Sequence, residues 1–163
     1  MIWKVENQNP FLESNFSERK PDFSPDDKWV VYESDETGTL EIYVTNFPDK
    51  SEKIQISTSG GYEPQWSHKG DRIFYRHNDD FYVVQLNRKD EISFSKPAIL
   101  FNGKYRYRSG WGRYYDLSPD EKYFVAVKEI MTEPTISSLN VIINFFEEVK
   151  QKTAKKNNRP RES

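Results

Sequence analysis

The sequence predicts an all-β protein assembled from repeated antiparallel units, and three observations predict it. A serine-turn-strand string occurs three times along the chain. Its copies start 43 and 51 residues apart, which is room for about four short strands each. Only 35 % of the 163 residues are hydrophobic, yet 15 % are Phe, Trp or Tyr, side chains that favour strands over helices.

The first copy runs Asp22-Phe23-Ser24-Pro25-Asp26-Asp27-Lys28-Trp29-Val30-Val31-Tyr32, the second begins at Gln65-Trp66-Ser67 and the third at Asp116-Leu117-Ser118. In each, a serine opens a three-residue turn, and its hydroxyl is placed to bond the backbone ahead of it. Pro25 and Pro119 preset φ at the second turn position. The last position favours φ above zero, which suits Gly70, is tolerated by Asp27 and is poorest for Glu121. Strands are expected behind the turns at 29–34, 72–77 and 123–128. Their hairpin partners follow at 40–46, 81–86 and 139–144, across loops containing Thr37-Gly38 and Asn78-Asp79-Asp80. Outer strands at 53–57 and 96–101 close the first two units. Four short strands at this spacing are the signature of a propeller blade.

The Ser-Pro-Asp turn followed by an apolar strand resembles the TolB-like, WD-repeat-like β-propeller family, over roughly residues 10 to 150. A closer likeness is to the propeller at the C-terminal end of certain bacterial serine/threonine protein kinases. It is carried by Pro10-Phe11-Leu12, by Glu41-Ile42-Tyr43-Val44 with Asn46-Phe47-Pro48, by Gln55-Ile56-Ser57-Thr58-Ser59-Gly60-Gly61, and by the stretch Leu139 to Lys150. His68-Lys69 and Glu121 depart from the family pattern, in turns that tolerate them. The resemblance implies a ring of six blades, of which this chain supplies about three. The expected organisation is a remnant of a preceding blade at 1–20, blades at 21–61, 62–110 and 111–150, and a disordered basic tail at 151–163. Three outcomes follow: a C-terminal half of a longer protein, a homodimer that completes the ring, or an open three-blade arc. Phe145, Phe146 and Val149 have the spacing of a short amphipathic helix ending the third blade.

The segment Lys104-Tyr105-Arg106-Tyr107-Arg108-Ser109-Gly110-Trp111-Gly112-Arg113-Tyr114-Tyr115 joins the second unit to the third. Alternating Tyr and Arg around a glycine-flanked Trp can stack on flat groups and pair with anions. Arg106, Arg108, Trp111 and Arg113 are therefore the candidate surface for a protein or small ligand. The structural alternative turns Tyr105 and Tyr107 into the blade and leaves the arginines in solvent.

Enzymatic chemistry is not expected. No cysteine is present, so disulfides, thiolate metal sites and cysteine nucleophiles are excluded. No G-x-S-x-G elbow and no kinase glycine-rich loop, H-R-D or D-F-G occurs. His68 falls in a turn, and His77 beside Asp79 is too sparse a set to predict a metal, so no cofactor is expected. A net charge of −2 argues against a nucleic-acid partner. Residues 1–60 are nevertheless acidic and residues 61–163 basic, mostly through the tail. There is no apolar run long enough for a membrane span and no signal-peptide pattern at Met1, so cytoplasm is the expected compartment, or an extracytoplasmic one in a kinase-linked protein. The predicted function is a non-catalytic interaction or ligand-sensing module. A homodimeric scaffold and a propeller fragment of a serine peptidase are the alternatives.

Overall fold

Valine, isoleucine and aromatic residues dominate the central strands, and their branched or flat side chains pack well on a pleated surface. A computed structural model of the chain describes residues 2–3, 10–87, 92–107, 112–128 and 138–142. Among the described residues every regular element is a strand, and no helix is long and apolar enough to cross a membrane. The expected C-terminal helix and basic tail lie outside the described residues. The chain divides into two compact units, Met1–Gly103 with Arg108–Arg113, and Lys104–Tyr107 with Tyr114–Ser163.

The first unit opens with a short antiparallel pair, β1 (Ile2–Trp3) and β2 (Pro10–Leu12). A four-stranded sheet follows in sequence order: β3 (Arg19–Phe23), β4 (Trp29–Ser34), β5 (Glu41–Asn46) and β6 (Lys53–Gln55). The second sheet is β7 (Tyr62–Trp66), β8 (Arg72–His77) and β9 (Asp80–Asn87), with β10 (Ser93–Phe94) and β11 (Ala98–Asn102) both pairing along β9. In the second unit, β12 (Tyr115–Leu117), β13 (Phe124–Lys128) and β14 (Ser138–Ile142) form a third antiparallel sheet.

The three turns are built alike. Ser24 Oγ accepts the Trp29 N–H at 3.0 Å, Ser67 Oγ accepts that of Arg72 at 3.1 Å, and Ser118 Oγ accepts that of Tyr123 at 3.0 Å. Each hydroxyl also donates to a carboxylate: Ser24 to Asp26, Ser67 to Asp71, Ser118 to Asp120. The last turn positions take left-handed φ, 55° at Asp27, 69° at Gly70 and 57° at Glu121. Glu121, the poorest match in sequence, adopts the same conformation because the turn bonds around it over-determine it.

Alternation along β4 sends Val30 and Tyr32 to one side, here called the leading face, and Trp29, Val31 and Glu33 to the other, the trailing face. The trailing face of the first sheet, with Val31, Ile42 and Val44, closes on the leading face of the second, with Trp66, Ile73, Tyr75 and Val84, in one buried core. The first sheet's own leading face holds Val30, Tyr32 and Tyr43, against which Phe11 of β2 and Phe47 pack. Burial and then the nearby charge of Glu36 push the Tyr32 phenol well above its ordinary pKa, and burial does the same to Tyr75.

Candidate functional site

The first strand of each of the two larger sheets in the first unit carries an irregularity that aims charge inward. Pairing shifts register between Arg19 and Asp22 in β3 and between Tyr62 and Gln65 in β7. At each shift one non-glycine residue is left-handed, Lys20 at φ 47° and Glu63 at φ 57°. The two positions lie 43 residues apart, the repeat offset. Such bulges re-aim a side chain that a regular strand would point elsewhere.

Here they assemble a buried charge cluster. Glu33, Glu63 and Arg76 are essentially inaccessible, and Lys20 nearly so. Lys20 Nζ stands 3.5 Å from Glu33 Oε1 and 3.6 Å from Glu63 Oε1. The Glu63 N–H donates to Glu33 Oε1 at 2.6 Å, and Arg76 Nη1 donates to Glu63 Oε2 at 3.2 Å. The Arg76 guanidinium also lies 4.7 Å from the centroid of the Phe81 ring, so its flat face is covered by aromatic surface. Two carboxylates and two cations balance, which offsets the desolvation of each. Beside the cluster, Asp22 Oδ2 accepts the Trp66 N–H at 2.8 Å and so links β3 to β7.

Arg113, singled out in sequence, reaches this edge: its Nη1 donates to the Pro64 carbonyl at 3.0 Å and lies 3.7 Å from Asp22 Oδ2. Arg106 belongs to the other unit, where its N–H donates to the Val127 carbonyl at 2.7 Å and its guanidinium lies 5.6 Å from the Tyr114 ring centroid. Arg108 and Trp111 lie outside the described residues. Sequence reasoning passed over Lys20, Glu33, Glu63 and Arg76. The signal was present, since Glu33 and Arg76 occupy one repeat slot, each charged where the strand alternation points inward.

A second feature is a cleft of about 470 Å³ lined by Leu40, Glu41, Thr58, Gly60, Tyr62 and His77, among others. Glu41 accepts the Gly60 N–H at 2.8 Å and the Ser57 hydroxyl, and Ser57 Oγ accepts the Ile42 N–H at 2.8 Å. Gly60 is required: its φ is +97°, and a Cβ there would come 2.3 Å from His77 Nδ1. His77 Nε2 lies 2.8 Å from Asn78 Nδ2, and His68 stands exposed in its turn. Among the described residues no three His, Asp or Glu side chains stand together as a metal site would require.

Two successive antiparallel sheets packed face to face in the first unit, and a third antiparallel sheet in the second, define a TolB-like β-propeller fold. The chain is similar to TolB from Acinetobacter baumannii, with a TM-score of 0.55 and 16 % identity, covering 81 % of this chain and 31 % of that one. It is similar also to oligogalacturonate lyase from Vibrio parahaemolyticus, with a TM-score of 0.55 and 14 % identity, covering 77 % of this chain and 34 % of that one. Among curated proteins, the uncharacterized protein Atu1656 of Agrobacterium fabrum is 34 % identical over 124 residues, 69 % of this chain and 40 % of the relative. The chain thus spans well under half the length of that relative. No family model matches.

Proposed function

We propose that the chain is a non-catalytic recognition module, which binds a protein or a small ligand through the Tyr- and Arg-rich segment 104–115. The observation that supports this reading is how the buried charges are used. Lys20, Glu33, Glu63 and Arg76 bond to one another and hold two first strands in place, and Arg113 anchors one end of the segment against Pro64 and Asp22. Arg113, held in this way, has less entropy to lose on binding than a free side chain would. The resemblance to kinase-linked propellers extends the reading to a sensor half of a longer, kinase-associated chain.

Titration calorimetry against a panel of acidic and phosphorylated peptides tests the surface. The Arg108→Ala/Trp111→Ala variant is expected to bind roughly tenfold or more weakly with its circular dichroism unchanged. Equal affinity overturns the assignment of the surface. Formation of an unsaturated product from oligogalacturonate by the purified chain overturns the non-catalytic reading.

A further inference from the structure

We propose that the cleft bounded by Leu40, Glu41, the 58–61 loop, Tyr62 and His77 binds a primary ammonium group carried on a short apolar stem. Its described lining residues all belong to the first unit and none to segment 104–115, so it is a site additional to the recognition surface.

Glu41 carries the assignment. It is only 3 % exposed, and a carboxylate so far from water needs compensation. Glu33 and Glu63 are as deeply buried, and Lys20 Nζ stands 3.5 Å and 3.6 Å from them, with Arg76 also on Glu63. Glu41 receives neutral donors alone: the Gly60 N–H at 2.8 Å and the Thr39 hydroxyl at 3.3 Å on Oε1, and the Ser57 hydroxyl on Oε2. Among the described residues no lysine, arginine or histidine stands within ion-pair distance of it. The three donors fix the carboxylate in place without cancelling its charge.

The blade does not require such a group. Ser34 pairs with Glu41 in the first sheet as His77 pairs with Asp80 in the second, so Glu41 and Asp80 hold one slot. In both sheets a backbone bond closes the loop beside that slot, from the Gly61 N–H to the Leu40 carbonyl and from the Gly103 N–H to the Asp79 carbonyl, each at 2.8 Å. The second sheet manages with an Asp80 that is only half-buried. The buried carboxylate without a cation is thus peculiar to the cleft.

The lining selects among cations. A carboxylate has about four acceptor positions, and three donors already occupy Glu41, so one position is left. One position suits a single N–H of a compact ammonium better than the two-pronged fork of a guanidinium. The hydroxyls of Thr58 and Ser59 line the same cleft, make no hydrogen bond among the described residues, and can accept the ammonium's other two N–H groups. Leu40 and the Tyr62 ring offer apolar contact to a stem of a few methylenes. The wall is set in advance: the Tyr62 hydroxyl donates to the Asn78 carbonyl at 2.9 Å, and the Tyr62 and His77 rings lie 6.4 Å apart. A volume of about 470 Å³ accommodates the stem as well as the charge.

Amide proton–nitrogen correlation spectra of the isotope-labelled full chain, titrated with n-pentylamine at neutral pH, test the site. Shifts should saturate with one dissociation constant and be largest at residues 39–41 and 58–62. n-Pentanol, which has the same stem and no charge, and n-pentylguanidine should each bind at least about tenfold more weakly. Glu41→Gln should weaken n-pentylamine by at least about tenfold. Since that change also touches the Ser57 and Gly60 bonds, Thr58→Lys is the second variant: it leaves Glu41 intact, supplies an ammonium from an exposed position of the lining, and should abolish the titration while spectral dispersion is kept. If Glu41→Gln loses its dispersion, Thr58→Lys decides. Nα-acetyl-lysine methylamide separates the two sources of this chemistry: affinity equal to that of n-pentylamine assigns the cleft to a lysine side chain, and affinity tenfold lower assigns it to a free amine. An absence of saturable shifts, equal affinity for n-pentanol, tighter binding of n-pentylguanidine, or unchanged n-pentylamine affinity in either folded variant overturns the proposal.

Discussion

One hydroxyl organises each turn. Ser24 Oγ both accepts the Trp29 N–H and donates to Asp26, and Ser24 itself is buried. Ser24→Ala leaves that N–H without its partner, so urea denaturation should show a loss of about 1–3 kcal/mol. Asp71 in the second turn responds to pH. Burial works to raise its pKa, but the Ser67 hydroxyl, the Arg72 charge and further hydrogen bonds outweigh it and hold the carboxyl below its ordinary value. A depressed folded pKa means stability that is present above the unfolded value and lost as pH falls through the folded one. Between about pH 7 and about pH 3, the gap in urea midpoint between wild type and Asp71→Asn should therefore narrow.

At the scale of the strand pair, one position is solved three ways. The slots that hold Lys20 and Glu33 in the first sheet hold Glu63 and Arg76 in the second, and Tyr114 and Val127 in the third, where the Val127 N–H donates to the Tyr114 carbonyl at 3.1 Å. The third sheet thus shows that an uncharged pair suits the geometry. Arg76→Met alone leaves two buried carboxylates to the single cation of Lys20 and should cost about 3–5 kcal/mol in chemical denaturation, while Glu63→Met/Arg76→Met should recover most of that loss. Gly60→Ala adds a Cβ at φ +97°, against the His77 ring. A loss of at least about 1 kcal/mol in thermal or urea unfolding is expected.

For the molecule as a whole, much of the architecture is legible in the sequence. The expected strands 29–34 and 72–77 coincide with β4 and β8 because the serine turns fix their start and register. The first strands of these two sheets carry a weaker pattern. Arg19 to Phe23 and Tyr62 to Trp66 contain Pro21 and Pro64 and irregular pairing, so they lack the alternation that marks β4. For the same reason no local pattern marks Lys20 and Glu63 as inward-facing, although tertiary packing buries them. The anchoring of Arg113 on the Pro64 carbonyl depends on a contact 49 residues distant, which no local pattern encodes.

The sign inversion between the first two sheets gives each of them an address. Lys20 reaches across to Glu63 of the neighbouring sheet. Were a second sheet of the first kind to settle in that place, a lysine would face Lys20 in a site closed to water, and like charges there repel strongly. A chain built from modules of one pattern risks assembling them in the wrong order during folding. In this molecule a pair of inward charges separates the correct neighbour from its look-alike.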